Sequence, residues 1–283
     1  MARQTMSPIR QIEAPNPAPN PVPNLAPGRG LPQEAVDRPL AAFARDYPAG
    51  EEVPRHSHDR AQLLYATQGV MRITTDDAGF VVPPMHALWM PAGAPHAVVT
   101  EGGVAMRALF LRADAAAAGP GATTVLAVSA LLRELILAAC AEPLEWDPQG
   151  RGGHLAALIL DEIARAPSLP FRVPEPRDPR LRRLASALRA APASTRTLED
   201  WASLAGASPR TLERRFRLET GLSFARWRQT LRLAEAAARL AGGETPARAA
   251  AAVGYASAPA FGAAFRSAFG ITPGAARGER PSD

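Results

Sequence analysis

Lysine is absent from this chain of 283 residues: all 32 of its basic side chains are arginine. The bias accompanies an abundance of alanine, and we read it as coding composition rather than mechanism. Cysteine is nearly absent as well. The single Cys140 excludes an intramolecular disulfide framework and fits a reducing compartment. It lies in the helical pattern LRELILAAC and carries no expected catalytic role. No apolar run reaches the length needed to span a bilayer, since the one around Leu131 is broken by Arg133 and Glu134. The first residues lack the apolar core of a secretory signal. These deficits predict a cytoplasmic protein with no membrane partner.

The charge that is present is unevenly placed. Residues 177–283 hold 18 Arg against 9 acidic residues, whereas residues 1–176 hold 14 against 18. A basic C-terminal part attached to a mildly acidic one is the footprint of a nucleic-acid module joined to something else. Apolar content of 47% is ordinary for a globular chain and allows a core in each part.

Punctuation by proline and glycine suggests the organisation. Residues 1–36 contain PNPAPNPVPNLAPG, where proline recurs too often for helix or ladder, so a disordered tail is expected. Residues 37–114 alternate short apolar runs (AQLLYAT, GVMRITT, HALWMPAG, VAMRALFLR) with turn signals, as an all-β barrel does. Within 115–166, helices are expected at 123–141 and 153–166, with apolar stripes through Leu126, Leu131, Leu132, Leu135 and Ile136, and through Leu155, Leu158, Ile159 and Ile163. Such a helical hairpin covers the barrel or joins two copies of the chain. Residues 167–178, rich in proline, read as a linker, and residues 179–283 as an all-helical domain. The predicted class is α+β.

The helical part contains a near-repeat. LEDWASLAGASPRTLERRFRLETG begins at Leu198 and PARAAAAVGYASAPAFGAAFRSAFG at Pro246. Each is an alanine-containing helix, a glycine turn and a second helix with Phe at a matching place, the helix-turn-helix pattern that sets its second helix in a DNA major groove. In the first unit Ser208 is the expected cap and Pro209 the first helical residue. Leu212 and Phe216 then face inward. Arg210, Thr211, Glu213, Arg214 and Arg217 fall toward DNA, where Arg can fork onto guanine and Glu can accept from cytosine. Arg215, nearer the flank, is expected to meet phosphate. In the second unit Ser257 caps, Phe261, Phe265 and Phe269 face inward, and the outer face is Ala258, Ala260, Gly262 and Ala263. That face has almost no hydrogen-bonding capacity, so Arg266 and Arg277 are expected to hold phosphates while the first unit reads bases.

SPRTLERRFRLETGLSFARWRQTLRL followed by GYASAPAFGAAFRSAFGITPGAAR resembles the DNA-binding domain of the AraC/XylS transcription regulators, over about residues 178–278. The resemblance implies seven helices, two helix-turn-helix units joined by one long helix, double-stranded DNA as partner, contact with RNA polymerase and a homodimer. Ala263 departs from the polar or basic residue often found at its position.

Upstream, Gly50, His56, His58, Gln62 and Gly69 resemble the first cupin motif, G-x5-H-x-H-x3-E-x6-G, with Gln62 in place of Glu. Pro91, Gly93 and His96 resemble the end of the second, P-x-G-x2-H, with Met85 where a glycine precedes it. His56 and His58, two apart on a strand, share a face. With His96 and Gln62 they form a candidate site for a divalent metal of borderline softness. Cupin remnants also occur without metal, and the neutral Gln removes an anionic ligand. Trp89 and Met90 are read as core and His86 and His154 as unpatterned. The arrangement resembles the cupin-containing AraC regulators and implies an unidentified small effector. Two rival readings stay open. One is a metal-dependent enzyme, for which only Glu52 stands near as a base. The other is a barrel that serves only as a dimerisation scaffold.

Overall fold

A computed structural model describes residues 30–277, apart from 118 and 170. Nine antiparallel strands form one sheet: β1 Leu40–Tyr47, β2 Glu52–His56, β3 Ala61–Thr74, β4 Ala78–Val82, β5 His86–Met90, β6 His96–Leu111, β7 Thr124–Ala127, β8 Ser168–Leu169 and β9 Arg172–Pro174. The long β3 and β6 pair along most of their length, and β1, β2, β4 and β5 attach to one or other of them. Strand alternation sorts the apolar residues into two cores. Phe43, Leu64, Met71, Ile73, Met106 and Phe110 point into the barrel. Leu63, Tyr65, Trp89, Leu109 and Leu111 point the other way, under the helices. Runs such as LLYA (63–66) are therefore apolar throughout because both faces are covered.

Two positions in the turns explain the motif glycines. At Gly69 the backbone is left-handed (φ 82°) and an added Cβ would stand 2.3 Å from the Gly103 carbonyl oxygen, so no other residue fits. Met85, at the place of the missing glycine, has φ 66° and is the one described residue other than glycine with positive φ. Its side chain is largely exposed. The turn keeps the backbone geometry that glycine would adopt freely.

The short helices α1 (Pro32–Ala35) and α2 (Ala113–Ala116) flank the barrel. The outer face of the sheet is covered by α3 (Ala130–Cys140) and α4 (Arg151–Arg165) through Leu132, Leu135, Ile136, Ile159 and Ile163. Leu131 and Leu158 stand exposed. Three readings of the sequence change here. The segment expected as tail ends sooner: Gly30–Val36 is folded against the barrel, because Arg60 donates to the carbonyls of Glu34, Val36 and Arg38. Residues 1–29 lie outside the described residues. The helix expected from 123 begins at Ala130, since Thr124–Ala127 is β7 and pairs with β5. Thr123, Thr124 and Val125 are β-branched, which favours strand. Residues 167–178 are no loose linker: β8 and β9 extend the sheet onto β7 and β4, with Phe171 and Val173 buried.

Seven helices make up the second domain among the described residues: α5 Pro179–Ala190, α6 Leu198–Ala205, α7 Pro209–Thr220, α8 Phe224–Ala241, α9 Pro246–Ala252, α10 Ala258–Phe269 and α11 Pro273–Ala276. Helix α8 runs between the two helix-turn-helix units. Its Trp227 packs on Phe216 of α7, ring centroids 5.2 Å apart. Its Leu233, Ala237 and Leu240 join the core of α9 and α10. The barrel is seated on the same helix. Arg72 of β3 forks onto Glu235 of α8 at 2.7 and 2.6 Å and also pairs with Glu101 of β6. Trp227 donates to the Pro174 carbonyl at 2.7 Å, and Phe171 stacks on Phe269 with centroids 4.1 Å apart. No helix among the described residues is long and apolar enough to cross a membrane.

Candidate DNA interface and barrel site

The first helix-turn-helix unit forms from local signals. Thr197 and Asp200 close a capping box at the start of α6. Gly206 ends that helix with φ 61°. The Ser208 hydroxyl accepts from the Thr211 amide and lies 2.9 Å from the Thr211 hydroxyl. Ser208 and Thr211 thus shape the entry to α7 as well as facing outward. Leu212, Phe216 and Thr220 are buried, which leaves Arg210, Arg214, Arg215 and Arg217 on the exposed side.

These outward residues are not equivalent. Arg210 and Arg214 have no ion pair or side-chain hydrogen bond among the described residues, so both guanidinium groups are open to a ligand. Arg217 pairs with Glu213 across one helical turn at 3.0 Å. Glu213 also accepts from the Phe224 amide at 3.2 Å, tying α7 to the start of α8. Its role is thus structural at least in part, where the sequence suggested base contact. Arg215 pairs with Asp178 at 2.9 Å, at the cap of α5. In the second unit Ser257 accepts from the Ala260 amide at 3.3 Å. Phe261, Phe265 and Phe269 are buried. The outer positions Ala258, Ala260 and Ala263 are exposed, and Arg266 is exposed with no ion pair among the described residues. Arg277 instead donates to the Gly243 carbonyl at 3.0 Å.

The barrel brings His56, His58 and His96 together. One ligand nitrogen from each lies within 4.8 Å of the others. His56 ends β2, His58 lies in the loop that follows, and His96 opens β6 opposite His56. Each Nδ1 faces an acceptor: Pro54 O at 2.7 Å for His56, Ala94 O at 3.0 Å for His96, and the Glu34 carboxylate at 2.7 Å for His58. A nitrogen facing such an oxygen carries the proton, so each Nε2 presents its lone pair. Burial holds His96 neutral down to about 4 and lowers His58 too, although Glu34 opposes the shift on His58. Gln62 is buried, and its Oε1 has no hydrogen-bond partner among the described residues. Three imidazoles and an orphaned amide oxygen line one cavity of about 60 Å³. The donor set fits a borderline divalent cation.

Other expected residues fall elsewhere. Trp89 is core and donates to Pro120 O at 2.7 Å, and Met90 is packed inside the barrel. His86 is buried, with its ring 4.9 Å from that of Phe171. His154 is exposed. Burial pushes the Cys140 thiol up to about 12, as suits an inert core residue. Sequence reasoning missed Glu34 and the Arg72–Glu235 pair. The string LPQEA carried a signal for the first, a proline that opens a turn of helix. Nothing local marks the second, whose members are 163 residues apart.

Comparison with known proteins finds two family models that match the chain. Residues 40–204 match the model of the AraC-like ligand binding domain, and residues 201–279 that of a helix-turn-helix domain. The HTH-type transcriptional regulator NimR of Escherichia coli (strain K12) is 32% identical over 221 residues, which cover 78% of this chain and 81% of that protein. The HTH-type transcriptional regulator RipA of Corynebacterium glutamicum is 36% identical over 119 residues, 42% of this chain and 34% of that protein. Among solved structures, the C-terminal domain of AraT, a response regulator from Geobacillus stearothermophilus, is 31% identical, with a TM-score of 0.34, over 38% of this chain and 89% of that one.

Proposed function

The chain belongs to the AraC family of helix-turn-helix transcriptional regulators, and on that premise we propose that α7 reads the operator, α10 holds register, and the barrel binds a divalent metal through His56, His58, His96 and Gln62. The observation that carries the DNA assignment is the contrast in α7 between open and committed side chains. Arg210 and Arg214 are exposed and unpaired among the described residues, while Arg215, Arg217 and Glu213 are tied to protein partners. Bidentate Arg–guanine contacts need an unpaired fork. Arg266 and the smooth alanine face of α10 suit close approach to the backbone with little base readout.

The metal assignment is supported by one ring nitrogen from each of three histidines within 4.8 Å of the others and by the unpartnered Gln62 Oε1. A metal bound there supplies a fixed positive charge that neutral residues lack. We read the barrel as a sensor and not as a catalyst: Glu52 is exposed and Glu34 is engaged with His58, which leaves no free carboxylate facing the cavity among the described residues. The family resemblance supports contact with RNA polymerase and a cytoplasmic location. The exposed Leu131 and Leu158 support a homodimer joined through α3 and α4.

Selection of sheared genomic DNA by the purified chain at near-physiological salt tests the reading. A discrete retained site is expected, with Arg210→Ala and Arg214→Ala losing preference at defined bases. Equal loss on every sequence for both variants would sink the base-reading assignment.

A further inference from the structure

The barrel site has two features that its donor set does not explain. The first is size. A cavity of about 60 Å³ is far below the about 300–1,000 Å³ of sites that take organic ligands. On that measure one water needs about 10–15 Å³, so the space suits an ion with a few waters. The second is charge. Three neutral imidazoles and a neutral amide give a dication no compensation, yet a carboxylate is present one bond further out. Glu34 holds the His58 Nδ1 at 2.7 Å, and both side chains are more than nine-tenths buried.

Glu34 does not belong to the sheet. It sits on α1, and the same segment supplies Leu31 to the cavity wall. Arg60, buried two residues beyond His58, fixes this strap by donating to the Glu34, Val36 and Arg38 carbonyls. The strap therefore meets the site twice, through a ligand histidine and through Leu31 in the cavity wall. A carboxylate on the far nitrogen of a metal-bound imidazole fixes the ring and raises its basicity, and losing such a partner weakens metal affinity about 10–100-fold.

We propose that Glu34 is the anion completing this site from outside the ligand shell, and that the strap closes on a divalent first-row cation, so that the cation itself is the effector the barrel reads. The inference rests on the metal assignment above and deepens it. It makes Glu34 a positioning residue. Binding the cation strengthens the His58–Glu34 hydrogen bond and with it strap closure, and by linkage closure strengthens binding by a comparable factor.

The test uses the full chain, stripped with a chelator, and two probes. Zn²⁺ titration reads affinity and Co²⁺ absorption reads the ligand set. Glu34→Gln keeps an acceptor oxygen for His58 and removes the charge. The expected result is one Zn²⁺ per chain, bound about 10–100-fold more weakly by Glu34→Gln. The Co²⁺ bands and metal-free melting temperature of that variant should stay as in the parent. His96→Ala should bind neither ion. Amide exchange across residues 31–36 should slow on adding Zn²⁺ in the parent and change little in Glu34→Gln, a readout that a merely structural Glu34 would not move. Equal Zn²⁺ affinity in parent and Glu34→Gln would overturn the role of Glu34 and leave the histidine site standing. No Zn²⁺ binding by the parent would overturn both. Retention of the same genomic DNA with the same affinity, with and without Zn²⁺, would overturn the cation as effector.

Discussion

Ser208 and Ser257 cap α7 and α10, Gly221 and Gly270 end them at φ 73° and 70°, and Phe216 and Phe265 fill the matching inner positions. The surfaces turned outward differ at every place except one, where Arg217 matches Arg266. One carries arginines at 210, 214, 215 and 217, the other alanines at 258, 260 and 263. The frame of a helix-turn-helix unit and its reading face are thus set by separate residues. A cap, a left-handed glycine and a buried stripe fix how the second helix stands. What that helix says to DNA is left to positions the frame does not use.

Predictions that test this separation run from the frame outward. Removing a ring from either inner stripe should be the most damaging change. Phe216→Ala and Phe265→Ala are each expected to lower stability by about 3–5 kcal/mol, read as a fall in the melting temperature. A large loss in one unit and none in the other would break the equivalence of the frames. The reading face should respond without unfolding. Arg210→Ala or Arg214→Ala should lose about 1–3 kcal/mol of discrimination at one base pair, measured by binding to a panel of single-base variants of the selected site. Arg266→Ala should weaken all members of that panel alike and lower the salt slope by about 1. A base-specific loss for Arg266→Ala would give the second unit a reading role it is denied here. Smaller and symmetric effects are expected at the caps, where Ser208→Ala and Ser257→Ala should each cost about 1 kcal/mol of stability. The smallest change lies in the barrel. Met85→Gly removes a side chain from a left-handed backbone and should raise stability by about 0.5–1 kcal/mol while leaving DNA binding untouched. A loss of stability would show that the exposed thioether packs on something.

Local order made much of this legible. Caps, helical periodicity and motif spacing are written within stretches of a few residues, and these located both helix-turn-helix units and the histidine cluster. Distance in sequence hid the remainder. Glu34 lies 24 residues before His58 and meets it only once α1 has packed against the sheet. Arg215 looked free because Asp178 lies in another helix cap 37 residues earlier. Helical spacing drew Leu126 into the wrong element, where β-branched neighbours and pairing to β5 prevailed. Prolines in 167–178 signalled a break, yet Phe171 and Val173 still found cores on either side, with Pro174 at the end of the edge strand β9.

The stack of Phe171 on Phe269, with Trp227 bonded to the Pro174 carbonyl, has a consequence for how such a chain can change over generations. A sensor joined by a slack tether can be exchanged for another without disturbing its reader. Here the segment between them is a shared part of both cores, and Arg72 on the barrel answers Glu235 on the helix that spaces the two units. Recombination at this seam would deliver a foreign barrel onto exposed rings and an unpaired carboxylate. An exchanged barrel would therefore have to bring its own matching contacts for Phe269, Trp227 and Glu235.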